Sequence, residues 1–122
     1  VVDFKNKVLI IGYGAVCKCM FPILLRHVNI PLENITIIDF KDKAKDLKAW
    51  TTRGLRFFKK KITPGNLAQT LEEHLSEGGL LIDVAWNIDC CEVVQWCHDH
   101  AKFTAVVAAL LVGLIIGAWL RM

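Results

Sequence analysis

The chain has 122 residues, 15 Lys and Arg against 12 Asp and Glu, a formal net charge of +3 and 54% hydrophobic residues. One domain with a real core fits that length, whereas a two-half dinucleotide fold plus a substrate domain does not. The dispersed charge, clustered only at Lys59-Lys60-Lys61, argues against a nucleic-acid surface, and five cysteines without an N-terminal signal peptide argue against a secreted disulfide framework. A reducing, cytoplasmic setting is the expectation.

Val8-Leu9-Ile10-Ile11 is an unbroken apolar run, as in a parallel strand covered on both faces. Gly12-Tyr13-Gly14 ends it, and residues 15–27 follow helical periodicity despite Pro22, which should bend the helix or cost it a hydrogen bond. Residues 29–34 read as a turn centred on Pro31, and Ile35-Thr36-Ile37-Ile38 as a second apolar strand closed by Asp39. A charged helix over residues 41–52, capped by Gly54, leads to a third strand over 55–58. Thr63 as N-cap and Pro64 in first position suggest a helix running to about Glu77, broken by Gly78-Gly79. Residues 80–84 form a fourth strand, and Asp89 is placed to cap a last amphipathic helix through His100. Strands alternating with helices predict an α/β fold, a parallel sheet with right-handed crossovers and flanking helices.

The strand, glycine turn and helix at residues 8–27 suit a bound phosphate. A pyrophosphate needs backbone N–H donors at close range and the positive end of a helix dipole, and this arrangement supplies both. Gly12 permits the tight turn and Gly14 leaves room for phosphate, so Gly12, Tyr13, Gly14, Ala15 and Val16 are the candidate contacts. The third glycine of the usual G-x-G-x-x-G pattern is Cys17 here. Asp39 ends the second strand 22 residues later, where a carboxylate accepts hydrogen bonds from a ribose and repels a 2′-phosphate. The expected fold is therefore Rossmann-type and the expected cofactor NAD, although Lys41 and Lys43 lie near enough to admit NADP. Asn87, after the fourth strand, would face the nicotinamide. For Asp89 the helix cap is the better role.

Taken together, VLIIGYGAVCKCMFPILLRH, ITIID, ITPGN and LIDVAWNIDCCEVVQWCHDH resemble the N-terminal NAD-binding domain of the homospermidine synthases, in the saccharopine-dehydrogenase-like group. The resemblance covers residues 4–100. It implies a NAD reduced and reoxidised within one cycle of polyamine biosynthesis: putrescine is oxidised to an imine, a second amine adds, and hydride returns. Gly12, Gly14 and Asp39 match the cofactor positions, and Asn87 falls near the nicotinamide. Cys17 and Lys18-Cys19 depart from the family pattern. The resemblance also implies a downstream substrate domain, so a chain that leaves it at residue 101 is expected to be truncated and catalytically inactive alone.

Residues 1–101 are thus read as the nucleotide domain and 102–122 as an apolar tail. Residues 103–120 carry no charge, are bracketed by Lys102 and Arg121, and repeat small residues at Ala105, Ala109, Gly113 and Gly117. A transmembrane helix, or a helix on a partner's apolar surface, is the favoured reading of the tail. The alternative is a Rossmann strand at 104–107 followed by a buried helix. Cys17-x-Cys19, Cys90-Cys91 and Cys97-His98-Asp99-His100 do not fit zinc spacings, and no metal is expected. A membrane-anchored regulatory nucleotide module without catalysis and a non-functional remnant are the competing functional readings, and a homo-oligomer fits any of them.

Overall fold

The computed structural model describes residues 2–84, 90–100 and 102–106. Its centre is a five-stranded, wholly parallel sheet in the order β5-β4-β2-β6-β7, from β2 (Val8–Ile11), β4 (Ile35–Asp39), β5 (Arg56–Lys59), β6 (Leu80–Asp83) and β7 (Phe103–Val106). A small parallel pair, β1 (Val2–Asp3) with β3 (Val28–Asn29), lies apart from it. Helices α1 (Ala15–His27), α2 (Lys48–Thr51), α3 (Leu67–His74) and α4 (Cys90–Asp99) form the crossovers.

The apolar runs become strands because the sheet has covered faces. Val8, Leu9 and Ile10 are fully buried, and their alternation divides the core in two. Val8 and Ile10 join Ile35, Ile37, Phe21 and Leu47 on one face, and Leu9 and Ile11 join Ile38, Leu71, Leu81 and Val93 on the other. Phe21 meets Trp50 edge-on at 5.1 Å, which seats α1 against α2. Pro22 lies on the exposed face of α1, so the helix runs through it to His27.

Four expectations change. The charged stretch 41–52 is helical only over Lys48–Thr51: Asp42 turns the preceding segment by accepting the Ala44 N–H (3.0 Å). The next helix starts at Leu67 and ends at His74, because Asn66 rather than Thr63 is its N-cap. Asn66 Oδ1 accepts the Thr63 N–H (2.8 Å) and its amide donates to the Lys61 carbonyl (3.0 Å), closing the loop before the helix. The turn at 29–34 holds strand β3 at its start and a short 3₁₀ helix, Leu32–Asn34, after Pro31.

The fourth concerns the tail. Phe103–Val106 is a strand, paired in register with Leu80–Asp83. That takes the start of the uncharged run into the sheet. Among the described residues no helix is long and apolar enough to cross a membrane. The Rossmann-strand alternative describes residues 103–106. The tail helix expected further on, together with Asn87 and Asp89, lies outside the described residues.

Phe58 on edge strand β5 contacts His74 at the end of α3, with ring centroids 5.1 Å apart. Burial lowers the His74 pKa from its ordinary value, Lys60, Lys7 and Arg56 lower it further, and Glu73 opposes them. The folded state thus takes up the proton less readily than the unfolded chain. The resulting stability is fully present above about pH 6.5 and is lost as pH falls through the folded pKa. Between pH 7.5 and 5.5, unfolding by urea should show a steeper loss of stability for the native chain than for His74→Gln. Parallel curves would remove His74 as the cause.

Candidate functional site

The sheet brings the carboxyl ends of its three central strands side by side. Ile11 ends β2 in register with Ile38 and Asp83. The Gly12 N–H donates to the Ile38 carbonyl (2.8 Å) and the Val84 N–H to the Ile11 carbonyl (3.0 Å), so β2 is bound on both sides up to its last residue. Gly12 then turns with φ 97°, a conformation that L side chains rarely adopt. This is the crevice beyond the strand ends where open α/β sheets bind ligands.

Gly14 precedes α1, and no side chain caps that helix. Its first turn carries no acidic residue, and Gly14, Ala15 and Val16 are all exposed. A Cβ added at Gly14 would meet nothing within 4 Å. Unsatisfied N–H groups at a helix start attract anions, and the space at Gly14 lets an anion reach the main chain. Those residues therefore fit a pyrophosphate.

Tyr13 between the two glycines points the other way. Its ring is buried in the core cluster with Cys17 and Phe21, so only its backbone lies at the turn. Burial raises the phenol pKa, helped by Cys17 and Asp46. The Tyr13 N–H donates to Oδ2 of Asp39 (2.8 Å), and Oδ1 of the same carboxylate accepts the Lys41 N–H (2.9 Å). Asp39 is buried at 8% exposure.

Cys17 occupies the third glycine position without disturbing the turn. Its side chain is fully buried between α1 and the sheet, filling space that a glycine would leave. Burial, with the Asp39 carboxylate adding, pushes the thiol pKa up to about 12. The next residue, Lys18, pairs with Asp46 at 3.6 Å, both half-exposed, and lies 6.0 Å over the Tyr13 ring. This exposed pair ties α1 to the segment after β4.

Two residues escaped the sequence reading. Asp83 ends β6 at 2% exposure, beside Ile11, much as Asp39 ends β4 on the other flank. The signal was a lone acid closing each of two apolar runs, ITIID and LLID. Phe40 is 54% exposed immediately after Asp39, and the Lys41 ammonium sits 5.6 Å over its ring. In α4, Cys97 is buried while His98 is exposed, and His100 stacks on Trp96 at 4.1 Å. Among the described residues no group of three or more His, Cys, Asp and Glu is arranged to hold a metal.

Sheet order, glycine turn and exposed helix start together define a Rossmann-type nucleotide-binding domain. The chain belongs to the family described as the saccharopine dehydrogenase NADP binding domain, whose model matches residues 8–108. It is 22% identical to the homospermidine synthase of Blastochloris viridis over 118 residues, covering 94% of this chain and 23% of that protein. The homospermidine synthase of Mesorhizobium japonicum is also 22% identical, over 121 residues, 97% of this chain and 23% of that protein. A crystal structure of homospermidine synthase from Legionella pneumophila in complex with NAD superposes with a TM-score of 0.74 at 27% identity, over 83% of this chain and 22% of that one. The chain thus spans less than a quarter of the length of these relatives.

The packing sorts the cysteines by reactivity. With a pKa about 12, Cys17 is thiolate in roughly one molecule in ten thousand at pH 8, and its sulfur is enclosed as well. Iodoacetamide labelling followed by peptide mass spectrometry should modify exposed Cys19 in the folded chain and reach Cys17 only after denaturation. Equal labelling of both would contradict the packing of α1.

Proposed function

We propose that this domain binds NAD, with the pyrophosphate over the Gly12–Tyr13–Gly14 turn and the N–H groups of Ala15 and Val16. The observation that carries the reading is the empty space at Gly14 above an exposed, acid-free helix start. Asp39 keeps a second lone pair on each oxygen and is the acceptor for the adenosine ribose hydroxyls. Phe40 supplies an exposed flat face beyond it for adenine. Asn87, which follows β6 in sequence, is the proposed contact on the nicotinamide side.

NAD is preferred to NADP on charge. A 2′-phosphate would approach the buried Asp39 carboxylate, and the nearest following cation, Lys41, has its ammonium over Phe40. The relative solved with NAD supports this choice, while the family description speaks of NADP. For the protein of which such a domain is part, we propose the amine chemistry of the homospermidine synthases. NAD supplies the hydride acceptor and donor. This domain's residues hold and orient it, and the amine is recognised by regions that the chain does not span.

Gly14→Ala separates binding from folding. The added methyl group touches nothing in the free chain, and φ −98° with ψ −160° suits an alanine, so the melting temperature should change little. The same methyl group intrudes where the pyrophosphate must sit, and NAD affinity measured by calorimetry should fall roughly tenfold or more. No heat with the native chain at millimolar NAD would sink the reading. In parallel titrations NAD should bind more tightly than NADP, and the reverse order would displace Asp39 from the ribose.

A further inference from the structure

A ribose contact accounts for only part of what Asp39 does. Its two oxygens each accept a backbone N–H group, from Tyr13 at 2.8 Å and from Lys41 at 2.9 Å. The Tyr13 bond crosses 26 residues of sequence, from the end of β4 to the middle of the glycine turn. It ties a side chain to that turn in a buried, low-dielectric setting, where a charged acceptor is strongest. Gly12 on one side of Tyr13 has φ 97°, and Gly14 on the other has no Cβ to limit its conformation. A turn with glycines at both ends loses much conformational entropy when fixed, so it needs something to fix it.

We infer that Asp39 is a positioning residue for the pyrophosphate seat: by accepting the Tyr13 N–H it holds the Gly12–Tyr13–Gly14 turn in its anion-receiving shape before any ligand arrives. This rests on the reading of that turn as the pyrophosphate seat. The buried Tyr13 ring anchors the turn from below, and the carboxylate fixes its peptide plane from the side. Asp39 therefore governs the affinity of a group that it does not touch, in addition to the ribose that it does.

The sign of one measurement separates this from a ribose-only role. Inorganic pyrophosphate has no ribose. If Asp39 served only the ribose, Asp39→Ala would leave pyrophosphate affinity unchanged, or raise it by removing a nearby negative charge. The clamp predicts the opposite, a fall of roughly tenfold, the scale of one lost hydrogen bond to a charged group.

Calorimetry on the full chain would measure Kd for NAD, and competition against NAD would give Kd for pyrophosphate. Leu71→Ala, a core change on the other face of the sheet, is the control for lost stability and should leave both affinities in place. Weaker binding of both ligands to Asp39→Ala supports the clamp. Weaker NAD with unchanged or tighter pyrophosphate overturns it, as does pyrophosphate that fails to displace NAD from the native chain.

Hydrogen exchange of the Tyr13 amide in the ligand-free native chain tests the clamp without any variant. Slow exchange supports it, and exchange as fast as that of an unstructured peptide overturns it. If the native chain binds no NAD, the seat assignment fails, and this exchange rate still decides whether Asp39 holds the turn.

Discussion

The parallel pairing of β2 with a strand on each side is the constraint on which the rest of the domain depends. A parallel neighbour cannot be reached by a tight hairpin, so each partner of Val8–Ile11 arrives through a crossover. Those crossovers put α1 and α2 on one face and α3 and α4 on the other, which is why β2 is buried on both sides and contains only Val, Leu and Ile. All strands point the same way, so every carboxyl end opens at one edge. The chain reverses there beside two neighbouring strand ends, and its first helix starts in the open.

The glycine turn is where local cost and global geometry meet. Gly12 takes a conformation that other residues resist, Gly14 leaves space unfilled, and α1 begins without a capping side chain. Each of these would weaken an ordinary strand-to-helix connection. Together they leave main-chain N–H groups exposed in a shape that suits a phosphate, with Tyr13 and Cys17 packed beneath. Cys17 shows that the third position of the glycine pattern is a matter of packing volume. Here a small side chain is fully buried in the cluster that holds Val8, Ile10 and Phe21.

The central strands and the nucleotide turn were legible in the sequence because they rest on short-range signals: unbroken apolar runs, glycines at a strand end, an acid closing the next strand. Val8–Ile11, Ile35–Asp39 and Leu80–Asp83 fall where those runs predict, or within one residue of it. The helix over 41–52 shrank because Asp42 and Asp46 are spent on a turn and on a pair with Lys18. Periodicity counts charges without seeing their partners. Thr63-Pro64 has the residue types of a helix start, but the Asn66 side chain holds the Thr63 N–H in a loop and the helix starts at Leu67. The strand at Phe103–Val106 was hidden by its surroundings. An uncharged run carries no period, and only the neighbouring strand β6, 20 residues earlier, shows that its first residues belong to a sheet. The hydrogen bonds of Asp39 were invisible for the same reason. Position marks it as a ribose ligand, and only the fold reveals the Tyr13 amide beside it.

Two kinds of tether meet at the mouth of the crevice, and they differ in how they respond to the solvent. The glycine turn is held by a buried bond to a carboxylate, which dissolved ions scarcely reach. The segment after β4 is held to α1 by Lys18 and Asp46, an exposed pair that contributes little at physiological salt and less above it. The floor of the crevice is therefore insensitive to salt, and the wall around Asp46 responds to it. A long ligand laid across both would meet a floor held alike in dilute and concentrated salt, beside a wall held less firmly as salt rises.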